Sequence, residues 1–219
     1  MSAAAAITGA LIGIAAAALT RFTRARLTDP TSPRVVSIPV LAVLGVIFGA
    51  LAGWRLTAWP EALAFAVAAL VSTLLVATDL ASHEIPHRIM WPGMVGLVFS
   101  LAAAATIEGS WARFGIALVT GIIIAVVYFA IAWVGKGQFG IGDVSLSLFF
   151  GTFLGWLGLP YALVGAVGAF LVHVPVTIAV LIARRAGRKA ELPFGPSLIA
   201  ASWLAAFFAP MVLRALLPH

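Results

Sequence analysis

Long uncharged stretches separated by short polar connections dominate the chain: residues 3–19, 35–53, 62–78, 90–107, 114–134, 144–158, 161–183 and 197–213. A helix crossing hydrocarbon about 30 Å thick needs about 17–25 apolar residues. The pattern therefore predicts an all-α polytopic membrane protein, a bundle of about eight transmembrane helices. Residues 144–158 form the shortest run and are rich in Phe and Gly, which suggests a tilted or partly embedded helix and leaves seven full spans as the alternative. Each run is apolar all round, so periodicity does not separate lipid-facing from neighbour-facing positions. Trp54, Trp59, Trp91, Trp111, Trp133, Trp156 and Trp203 mostly fall near run ends, as in an interfacial belt.

Composition narrows the function classes. Of 219 residues, 63% are hydrophobic and 9% charged, with a mean hydropathy of +1.15. Soluble domains carry roughly 25% charged residues, so a soluble enzyme, a disordered tail and a nucleic-acid module are excluded. The size suits a single membrane domain over 1–219. The absence of Cys removes disulfides, thiolate metal sites and a cysteine nucleophile. The net charge of +6 is an orientation signal. With eight spans, Arg21, Arg24, Arg26, Arg34, Arg88, Lys136, Arg184, Arg185, Arg188 and Lys189 share one side, while Arg55, Arg113 and Arg214 take the other. The richer side is cytoplasmic by the positive-inside rule, where its charges face anionic lipid, and both termini lie outside. Positive charges follow the first apolar run instead of preceding it, the reverse of a cleaved signal peptide.

Seven acids remain. Glu61 and Glu108 fall in outside loops; Asp29 and Glu191 sit among basic cytoplasmic residues. Asp79 abuts the inner end of the third run, and Asp143 immediately precedes the sixth. Ionisable groups at membrane depth are costly, so they are functional candidates. Alternating span direction puts both aspartates at one cytoplasmic level. Two carboxyls that converge split their titration, one ionised and one protonated, which suits general acid–base attack of water on a peptide carbonyl. The helix ends favour Asp143, at a positive N-terminus, as the base and Asp79, at a negative C-terminus, as the acid. Taken alone, each is also readable as an interfacial helix-end charge.

Gly140-Ile141-Gly142-Asp143 adds two glycines ahead of the acid; they permit close backbone approach and positive φ, as for a substrate strand or tight turn. His83-Glu84-Ile85-Pro86-His87 spells the zinc-protease pattern, but that geometry needs an unbroken helical turn, and Pro86 opposes one. A proton-coupled transporter using Asp79 and Asp143 is a further alternative, for which His173 and Pro175 are the only mid-span hints. A His beside a Pro kink is more simply a packing residue.

Three blocks together resemble the type IV prepilin peptidases, membrane aspartic endopeptidases of the Gly-x-Gly-Asp kind. They are Asp79-Leu80 followed by Ile85-Pro86-His87; Gly140-Ile141-Gly142-Asp143-Val144-Ser145-Leu146 continuing to Gly151 and Gly155-Trp156; and Pro193-Phe194-Gly195-Pro196. The resemblance covers roughly residues 62–213, a peptidase-like core. It implies Asp79 and Asp143 as catalytic residues, with no metal or organic cofactor. The implied substrate is a prepilin or pseudopilin precursor, cut behind a short basic leader at the cytoplasmic face of the cytoplasmic membrane. Gly140, Gly142 and Pro193–Pro196 are substrate-positioning candidates; the last block is equally a turn that starts a helix. His87 stands where the family usually has Asn, and Ser145 where it usually has Lys. Many members carry a cytoplasmic domain with paired Cys-x-x-Cys motifs and also N-methylate the product. Here residues 20–34 form a short loop without Cys, so leader processing alone is expected. The sequence does not specify the oligomeric state.

Overall fold

The computed structural model describes residues 38–55, 59–82, 85–134, 140–184 and 194–216. They form seven helices: α1 (Ile38–Arg55), α2 (Trp59–Ser82), α3 (His87–Glu108), α4 (Trp111–Val134), α5 (Ile141–Leu157), α6 (Leu159–Arg184) and α7 (Gly195–Leu216). No strand occurs among the described residues. These helices correspond one for one to the second through eighth apolar runs; the first run, residues 3–19, and the loop 20–34 lie outside the described residues. Five helices contain stretches long and apolar enough to cross a bilayer, Glu61–Asp79, His87–Glu108, Trp111–Val134, Leu159–Ala179 and Gly195–Ala215. The chain is a multi-pass membrane protein.

It divides into two compact units, residues 1–114 and 115–219. In the first, α2 packs between α1 and α3. Ala64, Phe65, Ala68, Ala69 and Leu75 of α2 are buried, and Gly93 of α3 sits on Val71. Ser72 and Thr73 are fully buried hydroxyls that donate to the Ala68 and Ala69 carbonyls at 2.7 and 2.8 Å. An unbonded hydroxyl there would cost free energy, so the helix satisfies its own polar groups. Gly109 ends α3 at φ 65°, the left-handed conformation that favours glycine, and its N–H donates to Ala105. Glu61, Glu108 and Arg113 are not isolated loop charges: each lies on a helix end, and Arg113 pairs with Glu61 at 2.9 Å and Glu108 at 3.4 Å.

In the second unit α5 is the buried hub. It touches α6 and α7, and residues 146–156 are buried apart from Leu148. This is why the run is short and mixes Phe with Gly. Phe149, Phe150, Phe153 and Trp156 fill space, each at most 1% exposed. Gly151 and Gly155 admit α4: a Cβ on Gly151 would stand 3.0 Å from the Gly121 Cα, and one on Gly155 2.9 Å from the Thr120 Cβ. Small residues at helix crossings allow such approach within membranes. A single residue, Gly158 at φ 133°, turns α5 into α6. By contrast, Leu163, Val167, Leu171, Val174, Ile178 and Ile182 make an exposed stripe along α6, the side for lipid. Trp91, Trp111 and Trp133 are exposed near helix ends, as a belt requires. Trp156 and Trp203 are instead core residues; Trp203 packs on Phe153 with ring centroids 6.0 Å apart.

Candidate active site

Asp79 sits three residues before the C-terminal end of α2 and is only 4% exposed. The hydroxyl of Thr78 beside it donates back to the Leu74 and Leu75 carbonyls at 3.1 Å each. A carboxyl drawn into a helix end loses hydration, a cost that marks it as a functional candidate. Helix α2 stops at Ser82 and α3 begins at His87, with Pro86 extended at φ −69° and ψ 125° as its N-cap. His83 and Glu84 lie outside the described residues, but the helix break separates their positions from His87. The unbroken turn required by the zinc-protease pattern is therefore not present, for the reason Pro86 gave in the sequence. Among the described residues no group of three or more His, Cys, Asp or Glu could hold a metal.

Asp143 occupies the first turn of α5, just ahead of the uncharged run. Gly140 caps the helix in extended geometry, φ −75° and ψ 151°. Its carbonyl accepts the Asp143 N–H at 3.0 Å, while its own N–H donates to Asp143 Oδ2 at 3.3 Å. The expected positive φ is therefore not used at Gly140 or Gly142; among the described residues it occurs at Gly109 and Gly158. A Cβ at Gly140 would meet Asp143 Oδ2 at 3.7 Å, an ordinary contact. What this glycine supplies is an exposed, extended backbone beside the carboxyl.

Asp143 is half-buried, and burial pushes its carboxyl up to about 6 despite the Gly140 N–H, which pulls the other way. The sequence argument from the helix N-terminus expected a downward shift. A helix end is worth about 0.3–1 kcal/mol, less than one pH unit, so desolvation wins. A carboxyl with that value is mostly ionised at pH 7. If Asp143 is the base, kcat/KM falls as pH drops through about 6 and the carboxylate takes a proton. The acid limb should lose about tenfold per pH unit. A cleavage profile measured from pH 4.5 to 8 checks this; a flat acid side contradicts it.

The Pro-Phe-Gly-Pro block opens α7: Gly195 and Pro196 lie in its first turn, and the Phe194 carbonyl accepts the Ser197 and Leu198 N–H groups. Pro193 lies outside the described residues. The Phe194 side chain is buried against His173 at 5.0 Å, Phe170 at 5.3 Å and Tyr128 at 6.0 Å between ring centroids. His173 Nδ1 is 3.2 Å from Ser197 Oγ, so this histidine has a partner and packs, as the simpler reading held. Tyr128, which sequence reasoning passed over, donates its hydroxyl to the Ala166 carbonyl at 2.9 Å and lies within electrostatic reach of Asp143. Its one sequence signal is being one of two tyrosines in the chain, the single hydroxyl-bearing aromatic of α4. Tyr128 thus ties α4 to α6 and to Phe194 at the beginning of α7.

Comparison with known proteins adds context to this arrangement. Residues 66–184 match the type IV leader peptidase family. The chain is 28% identical to a prepilin leader peptidase/N-methyltransferase of Aeromonas hydrophila, over 82% of this chain and 57% of that protein. The identity is 26% with the one from Aeromonas salmonicida, over 80% and 60%, and 27% with that from Pseudomonas putida, over 78% and 58%. The chain thus spans less than two thirds of the length of these relatives. No solved structure matches it.

Proposed function

The chain belongs to the type IV leader peptidase family, and from that premise we propose that it removes the short basic leader of prepilin-like precursors at the cytoplasmic face of the cytoplasmic membrane. The observation that carries this reading is that the matched stretch, residues 66–184, contains both Asp79 and Asp143, each at the end of an apolar helix. The proposed mechanism has the two carboxyls sharing one proton. The ionised one, assigned to Asp143, takes a proton from water as its oxygen attacks the scissile carbonyl carbon. The protonated one, Asp79, donates to the carbonyl oxygen. Collapse of the tetrahedral species breaks the C–N bond; the leaving amine takes the proton held by Asp143, Asp79 recovers one from the collapsing hydroxyl, and leader acid and mature amine depart. The exposed extended backbone at Gly140 supports it as a platform for the substrate strand, with Gly142 and the segment Pro193–Pro196 as further contacts.

Leader cleavage without methylation is part of the proposal. It draws on the sequence having no Cys for the zinc-binding pairs that many members carry. The test is co-expression with a candidate pilin precursor, read by gel mobility and by mass of the mature N-terminus. The expected result is a shortened, unmethylated product. Cleavage should persist with chelator and in His83→Ala and His87→Ala. Loss with chelator that zinc restores would favour the metalloprotease; proton-driven transport in vesicles without cleavage would favour a carrier.

A further inference from the structure

A tyrosine inside an apolar helix needs a partner for its hydroxyl, and phenylalanine would fill the same space without that requirement. Tyr128 is 2% exposed, yet it keeps its hydroxyl and spends it on a bond to another helix, at the Ala166 carbonyl of α6. That bond fixes the rotation of the ring. The ring in turn packs on Phe170 of α6 at 5.5 Å and on Phe194, the residue just ahead of α7, at 6.0 Å. Phe194 also meets the edge-on ring of His173, whose Nδ1 lies 3.2 Å from Ser197 Oγ in the first turn of α7. Three elements, α4, α6 and the start of α7, are thereby tied together.

Building on the leader-peptidase reading, we propose that Tyr128 is a positioning residue for the precursor. It acts through Phe194, holding the backbone that begins α7 in the place where the substrate segment is bound. Tyr128 makes no contact with the reacting atoms in this scheme. Its loss therefore weakens substrate capture more than it slows the chemical step. Phe194 keeps its ring contacts with Phe170 and His173 when Tyr128 is lost, so the segment loosens without dismantling the buried hub of α5.

The test uses the purified full-length protein in detergent micelles and a synthetic peptide with a basic leader, a Gly and an apolar segment. Tyr128→Leu is expected to raise KM about tenfold while kcat stays within about threefold; Tyr128→Phe, which keeps the ring but loses the bond to Ala166, is expected to raise KM about threefold at unchanged kcat. Phe194→Leu should reproduce the KM effect, and the double variant should be little worse than either single, because both disturb one contact. If Tyr128→Leu does not accumulate as folded protein, Phe194→Leu and Tyr128→Phe carry the test. Parental KM in Phe194→Leu, a fall in kcat alone, or additive losses would overturn the proposal. Asp143→Asn in the same assay separates the two levels. If it abolishes cleavage while Tyr128→Leu and Phe194→Leu keep the parental KM, the peptidase reading stands and only this inference fails. If Asp143→Asn cleaves normally, the carboxyl-pair mechanism fails; if the parent protein leaves the peptide intact, the peptidase reading itself fails.

Discussion

Asp79→Asn and Asp143→Asn are each expected to lower leader cleavage by about 10³-fold or more, the scale of a lost general acid or base, while the protein still inserts and accumulates. Asparagine keeps the volume and an acceptor oxygen, so in Asp143→Asn the Gly140 N–H retains a partner and the cap of α5 survives. Asp79 is 4% exposed; asparagine fills the same space there and keeps an acceptor oxygen while removing the ionisable group. Stability and function thus separate, and the loss can be assigned to chemistry. The measurement is the mobility of a co-expressed precursor beside the membrane level of each variant. Full cleavage in either variant would remove the carboxyl pair from the mechanism.

The second large effect belongs to packing. Gly121→Leu is expected to destabilise the unit of residues 115–219 by about 3 kcal/mol or more, the upper range for overfilling a packed site, and to abolish cleavage with it. A Cβ at Gly121 would collide with the Thr152 side chain, and would lie 2.9 Å from the Thr152 N and 3.0 Å from the Leu148 carbonyl oxygen. Two of those atoms are backbone of α5 and have no rotamer by which to move aside. Helix α5 must shift, and Asp143 shifts with it. Gly115→Ala is the control: nothing lies within 4 Å of its Cβ position on the same helix, so it should gain about 0.5–1 kcal/mol from helix propensity. Thermal unfolding in micelles, followed with cleavage, distinguishes the two. Equal stability in both variants would show that the crossing is looser than described.

Much of this was legible beforehand because it rests on local chemistry. Uncharged runs of span length have no solution but helix in lipid, and the described helices fall on those runs. Pro86 forbade the helical turn that His83 and His87 would need. Other features were illegible for an equally physical reason. Runs that are apolar on every face carry no record of which face meets protein, so the sequence set α5 apart as short and rich in Phe and Gly without showing that it is the buried hub, or that α6 carries the lipid stripe. Trp156 and Trp203 read as belt residues by position, yet close packing made them core. The direction of the Asp143 shift depended on burial, a quantity set by neighbours distant in the chain.

The chain by itself thus determined the helical membrane class, the candidate aspartates and the family blocks, since span length, charge scarcity and short motifs are encoded residue by residue. Tertiary structure alone decided that Gly121 must lack a side chain, that Phe194 is held between Tyr128, Phe170 and His173, and that Gly140 serves as an extended cap. Each of these is a relation between segments tens of residues apart or a backbone angle, and packing settles such relations only once the helices have met.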